Sequence, residues 1–220
     1  MKKILVVCAH PDNETLGLGG TIAKHSQNGD QVFVVIFADG ESARSNSKKN
    51  IVMRKNQAKK VASILGIKKI KFLDYRDQTL DTISSLVLAK KLEKIIKECN
   101  PDTIYTHFWG DVNQDHKKIF DITLIAARPT PNSNIQRLIC YETPSSTEWG
   151  NESFKPNLFV EITPFLKKKI DAVEEYKNEI HEYPHPRSEK SIIARSNFWG
   201  SSVGIMNAEA FIVLRDIEKI

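Results

Sequence analysis

Cysteine is scarce in this chain, with three in 220 residues: Cys8, Cys99 and Cys140. They are odd in number, far apart, and form no C-x-x-C pair. Neither a disulfide framework nor a cysteine zinc site is expected from them. Cys8 and Cys140 lie in apolar runs, where a free thiol acts as a small buried hydrophobe. Long hydrophobic runs are also missing. No stretch approaches the roughly 20 apolar residues of a membrane helix. The two N-terminal lysines lead into strand-like residues, with no small-residue cleavage pattern, so no signal peptide and a cytoplasmic location are expected. A strong charge excess is lacking too: 32 Lys and Arg against 27 Asp and Glu leave +5. The lysines are dispersed (Lys48 to Lys60, Lys90 to Lys97, Lys167 to Lys169) without interleaved aromatics. They read as solvated faces rather than a nucleic-acid surface, though a mildly positive field attracts anionic substrates. Finally, Gly17, Gly19 and Gly20 do not fit G-x-G-x-x-G, and there is no P-loop lysine. This excludes a dinucleotide turn and leaves close helix-to-sheet packing as the reading of these glycines.

What is present is alternation. Apolar runs at Lys2 to Ala9, Gln31 to Ala38, Ile70 to Leu73, Thr103 to Thr106, Leu138 to Glu142, Leu158 to Ile162 and Ala210 to Leu214 read as strands. Between them, helical spacing predicts helices over Glu14 to Gln27, Ile51 to Leu65, Ser84 to Cys99 and Asp115 to Ala127. Thr163-Pro164 suits the start of a long helix to about His181, and another follows near Glu189 to Ser196. Gly66 suits a helix stop. Asp39 to Ser42 ends the second of these strands, and the polar stretch that follows through Asn50 predicts a mobile loop at the edge of the site. No internal repeat or linker divides the chain, and its length suits one domain over residues 1–220. The expected fold is α/β, a single Rossmann-like domain with a mostly parallel sheet and helices on both faces.

Two polar clusters stand at the carboxyl ends of predicted parallel strands, where open α/β sheets place their ligands. The first is His10-Pro11-Asp12-Asn13-Glu14. The second is Asp111-Val112-Asn113-Gln114-Asp115-His116. A hydrolytic zinc site needs three protein ligands and an open position. His10 and Asn13, three apart in a turn, suit two ligands, and His116 a third. Asp12 then faces the attacking water as base, and Asp115 stands behind a ligand. Singly, each cluster is equally a turn with a capping aspartate.

These residues resemble the PIG-L/LmbE-like family of zinc-dependent de-N-acetylases, with its A-H-P-D-D-E and later D-x-N-x-D-H segments. The similarity continues through Glu142-Thr143-Pro144-Ser145-Ser146-Thr147-Glu148-Trp149, Tyr183-Pro184-His185-Pro186-Arg187-Ser188 and Ala208-Glu209-Ala210-Phe211. The resemblance implies a Rossmann-like fold and hydrolysis of an N-acyl group, usually acetyl, from an amino sugar or related small molecule. By position it implies zinc on His10 and His116, with Asp12 as base. Asn13 departs from the pattern, standing where the family has an aspartate ligand. A neutral amide donates more weakly, so another divalent metal is an open alternative to Zn2+.

The remaining roles follow from position. His185 and Arg54 are candidates to stabilise the oxyanion, with His185 held by its flanking prolines. Arg54 and Asn113 are candidate substrate contacts. Glu14 is expected to orient the turn, and Asp77 to lie near the site. His107 reads as packed or pocket-lining beside Phe108 and Trp109. Trp149 and Trp199 are either sugar platforms or core. The expected partner is an N-acylated amino sugar, free or nucleotide-linked, and a homo-oligomer is left open. The alternative function is a non-catalytic metal- or sugar-binding protein whose metal site Asn13 has weakened.

Overall fold

In the computed structural model, which describes residues 1–44 and 47–218, the central strand is β1 (Lys3–Cys8). Its side chains alternate between two cores. Ile4, Val6 and Cys8 enter one, and Leu5 and Val7, with the following Ala9, the other. A strand buried on both faces must be apolar at every position, which is why this run does not alternate in sequence. Around it run α1 (Asn13–Gln27), β2 (Gln31–Ala38), α2 (Lys48–Leu65), β3 (Lys69–Tyr75), α3 (Ser85–Cys99), β4 (Thr103–His107) and α4 (Gln114–Ala126). Then follow β5 (Arg137–Tyr141), β6 (Leu158–Glu161), α5 (Leu166–Glu174), α6 (Glu189–Ser201) and β7 (Ala208–Asp216).

The seven strands are ordered β3-β2-β1-β4-β5-β7-β6. The first five are parallel, and β7 runs antiparallel to both β5 and β6. Helices α1, α2 and α5 cover the face that receives Val6; α3 and α4 cover the face that receives Val7. The expected α/β fold with helices on both faces is therefore the fold observed. Among the described residues, no helix is long and apolar enough to cross a membrane.

Helix ends follow local chemistry. Helix α3 buries Leu88, Leu92, Ile95 and Cys99, one stripe of helical period. Helix α2 stops at Gly66, whose φ of 74° is left-handed and whose missing Cβ leaves room for Ser26. It starts at Lys48 rather than Ile51 because Ser47 Oγ caps the Asn50 amide. The polar stretch expected as a loop includes residues 45 and 46, which lie outside the described residues. All three cysteines are buried and free.

The glycines of α1 do serve packing. A Cβ on Gly17 would sit 2.4 Å from Tyr141 Cδ2, and one on Gly20 2.7 Å from Ile162 Cγ2. Helix α1 breaks at Leu18, where φ is −148°. Just past the break, Glu209 of β7 accepts the Gly20 and Thr21 amides at 2.9 and 2.7 Å. Lys169 neutralises it at 2.6 Å. The closing Ala208-Glu209-Ala210 segment thus holds the helix that begins with the site.

The long helix expected from Thr163 to His181 is not formed. A short 3-10 turn (Thr163–Phe165) leads into α5, which ends at Glu174. Beyond it, Tyr176 turns inward to donate to Glu14 Oε1, and Glu179 turns inward onto three arginines. Past Glu174 the chain leaves the helical course, and Tyr176 and Glu179 make their polar contacts from the turns that follow.

Candidate active site

Strand β1 is flanked by β2 on one side and β4 on the other. Their connections diverge there, which opens a crevice at the strands' carboxyl ends. The β1 end carries His10 to Glu14, and the β4 end leads into Asp111 to His116. A cavity of about 140 Å3 lies over them, lined by His10, Asp12, Arg54, Asn113, His116 and Arg187, among others. That volume suits an acyl amide better than a whole drug-sized molecule.

The two histidines face one another. His10 Nδ1 and His116 Nε2 are 3.3 Å apart, and both rings are buried. Each ring's other nitrogen is held by acid. His10 Nε2 lies 3.0 Å from both Asp77 and Asp115, and His116 Nδ1 lies 3.1 Å from Asp111. Asp115 is itself fixed by the Gln78 and Leu80 amides, both at 2.9 Å. Asp111 takes the Ser146 and Thr147 hydroxyls and the Asn113 amide. Asn113 caps α4 with its side-chain oxygen, accepting from the Asp115 amide at 2.9 Å and weakly from that of His116.

These contacts divide the protons. Burial alone lowers the pKa of His10, but the Asp115 and Asp77 hydrogen bonds outweigh it and raise the value to about 9. Burial lowers His116, only partly opposed by Asp111. His10 is thus the charged member and His116 the neutral acceptor. Burial would raise Asp111; the His116 ring and its own hydrogen bonds hold it below the usual carboxylate range.

A second, denser cluster faces the histidines. Asp12 Oδ2 accepts from Arg54 Nη2 and Arg187 Nη1, each at 3.0 Å. Asp12 Oδ1 accepts from Asn13 Nδ2 at 2.9 Å. Asn13 Oδ1 in turn accepts the His10 amide at 2.8 Å, so both ends of the Asn13 amide are engaged. Glu14 accepts the Asp12 amide at 3.0 Å and the Tyr176 hydroxyl at 2.5 Å, which orients the turn. Glu179 receives Arg44, Arg54 and Arg187. Burial would raise its pKa, but the three guanidinium groups hold it below the ordinary glutamate range.

Most residues singled out in the sequence meet here: His10, Asp12, Asn13, Glu14, Arg54, Asn113, Asp115, His116 and Asp77. His185 does not line the cavity. Its Nδ1 accepts the Arg187 amide at 3.1 Å, and its ring packs against His181 and Trp149. The peptide before Pro184 is cis, and the residue that this elbow sends into the cavity is Arg187, two positions on. Trp149 stays exposed, and Trp199 donates to Glu142 at 2.6 Å. Sequence reasoning also passed over Asp111, Ser146, Tyr176, Glu179 and Arg44. Asp111, Ser146 and Arg187 stood inside motifs already singled out; Tyr176, Glu179 and Arg44 carried no signal.

Two donor sets suit a divalent metal. His10, Asp77 and Asp115 bring one ligand atom each within 4.8 Å of one another. Asp115, however, already accepts from two amides and lies against His10, which suits a backing carboxylate better than a ligand. The forward pair fits better. Zinc–nitrogen bonds of about 2.0–2.1 Å in a tetrahedral site place two ligand nitrogens roughly 3.3 Å apart. His10 Nδ1 and His116 Nε2 have that spacing, and both have acids behind them.

Comparison with known proteins places the chain among relatives of known name. The chain is 28% identical over 193 residues to the diacetylchitobiose deacetylase of Thermococcus kodakarensis, covering 83% of this chain and 72% of that one. Its fold matches N,N'-diacetylchitobiose deacetylase from Pyrococcus horikoshii, with a TM-score of 0.80, 24% identity and coverage of 97% and 84% of the two chains. It also matches GalB, the 4-carboxy-2-hydroxymuconate hydratase of Pseudomonas putida, with a TM-score of 0.77, 23% identity and full coverage of both chains. At those identities the structural likenesses speak to fold alone. The family model described as PIG-L, GlcNAc-PI de-N-acetylase, matches residues 5–127, which carry both histidine clusters. The chain belongs to the PIG-L family.

Proposed function

We propose that this protein is a metal-dependent hydrolase that removes an N-acyl group, most simply N-acetyl, from an amino sugar. The observation that carries the reading is the pair of buried imidazoles whose facing nitrogens lie 3.3 Å apart, with acids behind both and Asp12 beside them. The sugar substrate class is drawn from the deacetylase relative named above.

His10 and His116 are proposed to hold zinc or another divalent cation. Asn13 would supply the third ligand through its Oδ1, which also accepts the His10 amide. When bound, the metal supplies Lewis-acid polarisation of the acyl carbonyl and makes water a nucleophile near neutral pH. Asp12 takes the proton from that water. Its Oδ1, engaged by Asn13 alone among the described residues, is the oxygen suited to this, because Oδ2 is occupied by two guanidinium groups. Asp12 then returns the proton to the departing amine. Arg187 faces the same cavity and stabilises the oxyanion that develops, a role the sequence suggested for His185. His185 supports it by accepting the Arg187 amide. Arg54 holds Asp12 from the opposite side and lines the cavity. Asn113 spends its oxygen on the α4 cap, which leaves its amide nitrogen for a sugar hydroxyl.

The orientation of Asn13 also supports a second reading, a sugar-binding protein whose metal site is weakened. One experiment separates the two. Purified protein is analysed for bound metal and incubated with N-acetylglucosamine, N,N'-diacetylchitobiose and nucleotide-linked N-acetyl sugars, while released acetate is measured. Acetate release that a chelator abolishes and zinc restores supports the hydrolase. Sugar binding without acetate release, with or without added metal, overturns it.

A further inference from the structure

Under the two facing rings lies a third histidine. His107 ends β4 and is fully buried. The β1–β4 ladder runs from Ile4–Thr103 to Val6–Tyr105 and stops there, before β1 has delivered His10. The His107 ring fills the gap. Its Nε2 accepts the Ala9 amide hydrogen at 3.1 Å, on the residue that precedes His10. The Tyr141 hydroxyl of β5 lies 3.0 Å from the same nitrogen and 3.0 Å from the Val7 carbonyl, with one hydrogen to share between them. Thr143 Oγ1 is 3.3 Å from Nδ1. The flat face of the ring packs on His116, with centres 4.0 Å apart and planes inclined by 15°. One imidazole therefore touches both the backbone that carries His10 and the ring of His116.

The hydrogen-bond partners also fix its tautomer. A backbone amide only donates, so Nε2 bears no hydrogen and the proton of the neutral ring sits on Nδ1, facing Thr143. Resting on the reading that His10 and His116 hold a metal, we infer that His107 is a positioning residue for that pair. It replaces the missing backbone bonds between β1 and β4, and it is the flat stop beneath His116. Together these contacts set the separation of the facing nitrogens. A phenylalanine would keep the face but lose the acceptor for Ala9. A glutamine would keep an acceptor but lose the face. Losing an orienting partner of a metal-ligating histidine typically weakens metal binding about 10–100-fold.

The test is zinc affinity, measured by competition with a chromophoric chelator, for the wild type and His107→Phe. Cooperative thermal unfolding of the metal-free proteins is followed alongside. Zinc binding weakened about 10–100-fold in a variant that still unfolds cooperatively supports the inference. Should His107→Phe fail to fold, His107→Gln takes its place. Nitrogen-15 NMR of the wild type gives an independent reading, with His107 Nε2 expected unprotonated and Nδ1 protonated at neutral pH. A protonated Nε2, or a folded variant that binds zinc as the wild type does, overturns the role of His107 alone. A wild type that binds no zinc overturns the metal reading, and the role of His107 with it.

Discussion

The two sides of the crevice are built on opposite plans. The histidine side uses rings whose rear nitrogens are tied to Asp77, Asp111 and Asp115 and whose front nitrogens face each other. The arginine side uses guanidinium groups paired with acids: Arg54 and Arg187 on Asp12, and Arg44, Arg54 and Arg187 on Glu179. In the first arrangement His116 Nε2 turns a lone pair forward, and a bound cation takes the place of the proton on His10 Nδ1 so that a second lone pair joins it. The second ties three guanidinium groups to two carboxylates and suits fixing Asp12 in place. Backed imidazoles bind; acid-paired guanidinium groups clamp. Asp12 sits at the join, so its substitution should have the largest effect. Asp12→Asn is expected to lower kcat by about 10²–10⁴-fold, the range for a lost general base, while the protein keeps its zinc. Loss of zinc together with activity would move Asp12 to the cation-holding side and break the division.

Glu179 tests the clamp alone. It is buried against three arginines. Glu179→Gln leaves buried Arg54 short of an anion, and breaking a buried pair costs about 3–5 kcal/mol. A lowered Tm with zinc affinity unchanged is expected. An unchanged Tm with weakened zinc binding would mean that the arginine side also shapes the cation site.

A smaller effect tests how α1 is seated under both sides. Gly17→Ala would place a Cβ 2.4 Å from the Tyr141 ring and 2.8 Å from the Glu142 carbonyl. Overpacking of this kind costs about 1–3 kcal/mol, read as a drop in Tm. A neutral result would show that α1 can shift, and that the site does not depend on its close approach to β5.

The same contrast explains what could be read in the sequence. The histidine side was legible because its residues fall in two short segments, each at the end of a strand whose apolar run marks it. The parallel strands β1, β2 and β4 were legible for the same reason: burial on both faces leaves continuous Val and Ile. The arginine side was legible only at Arg54. Arg44, Arg54, Tyr176, Glu179 and Arg187 come from three separate stretches, and only long-range pairing brings them together. Helix α5 likewise ends at Glu174, where helical spacing alone predicted continuation to His181. In the Pro184–Pro186 elbow, the sequence drew attention to His185 because imidazole is a versatile catalyst. The backbone instead delivers Arg187 to the cavity and leaves His185 to accept its amide.

Asn13 links the two sides, and its substitution gives the smallest but most specific effect. Its oxygen accepts from the His10 amide and its nitrogen donates to Asp12. Turning the amide over would set two oxygens against each other at Asp12 and two donors against each other at His10, so neighbours on both sides fix its orientation. Asn13→Asp keeps the acceptor for His10 but turns the second contact into two carboxylates about 2.9 Å apart. Like charges that close destabilise each other unless a proton or cation joins them. The metal-free variant is therefore expected to melt below the wild type, by the few degrees that about 1 kcal/mol represents in a chain of this size. Zinc should reverse the order, because the new carboxylate is a better ligand than the amide and the cation offsets the repulsion. The measurement is Tm with and without zinc for both proteins. If zinc raises the two Tm values equally, residue 13 does not contact the metal, and Asn13 serves only to hold Asp12. If it raises the variant more, the amide is a weaker substitute for a carboxylate ligand, and a lower zinc affinity is the consequence of gaining a donor that orients Asp12 without metal.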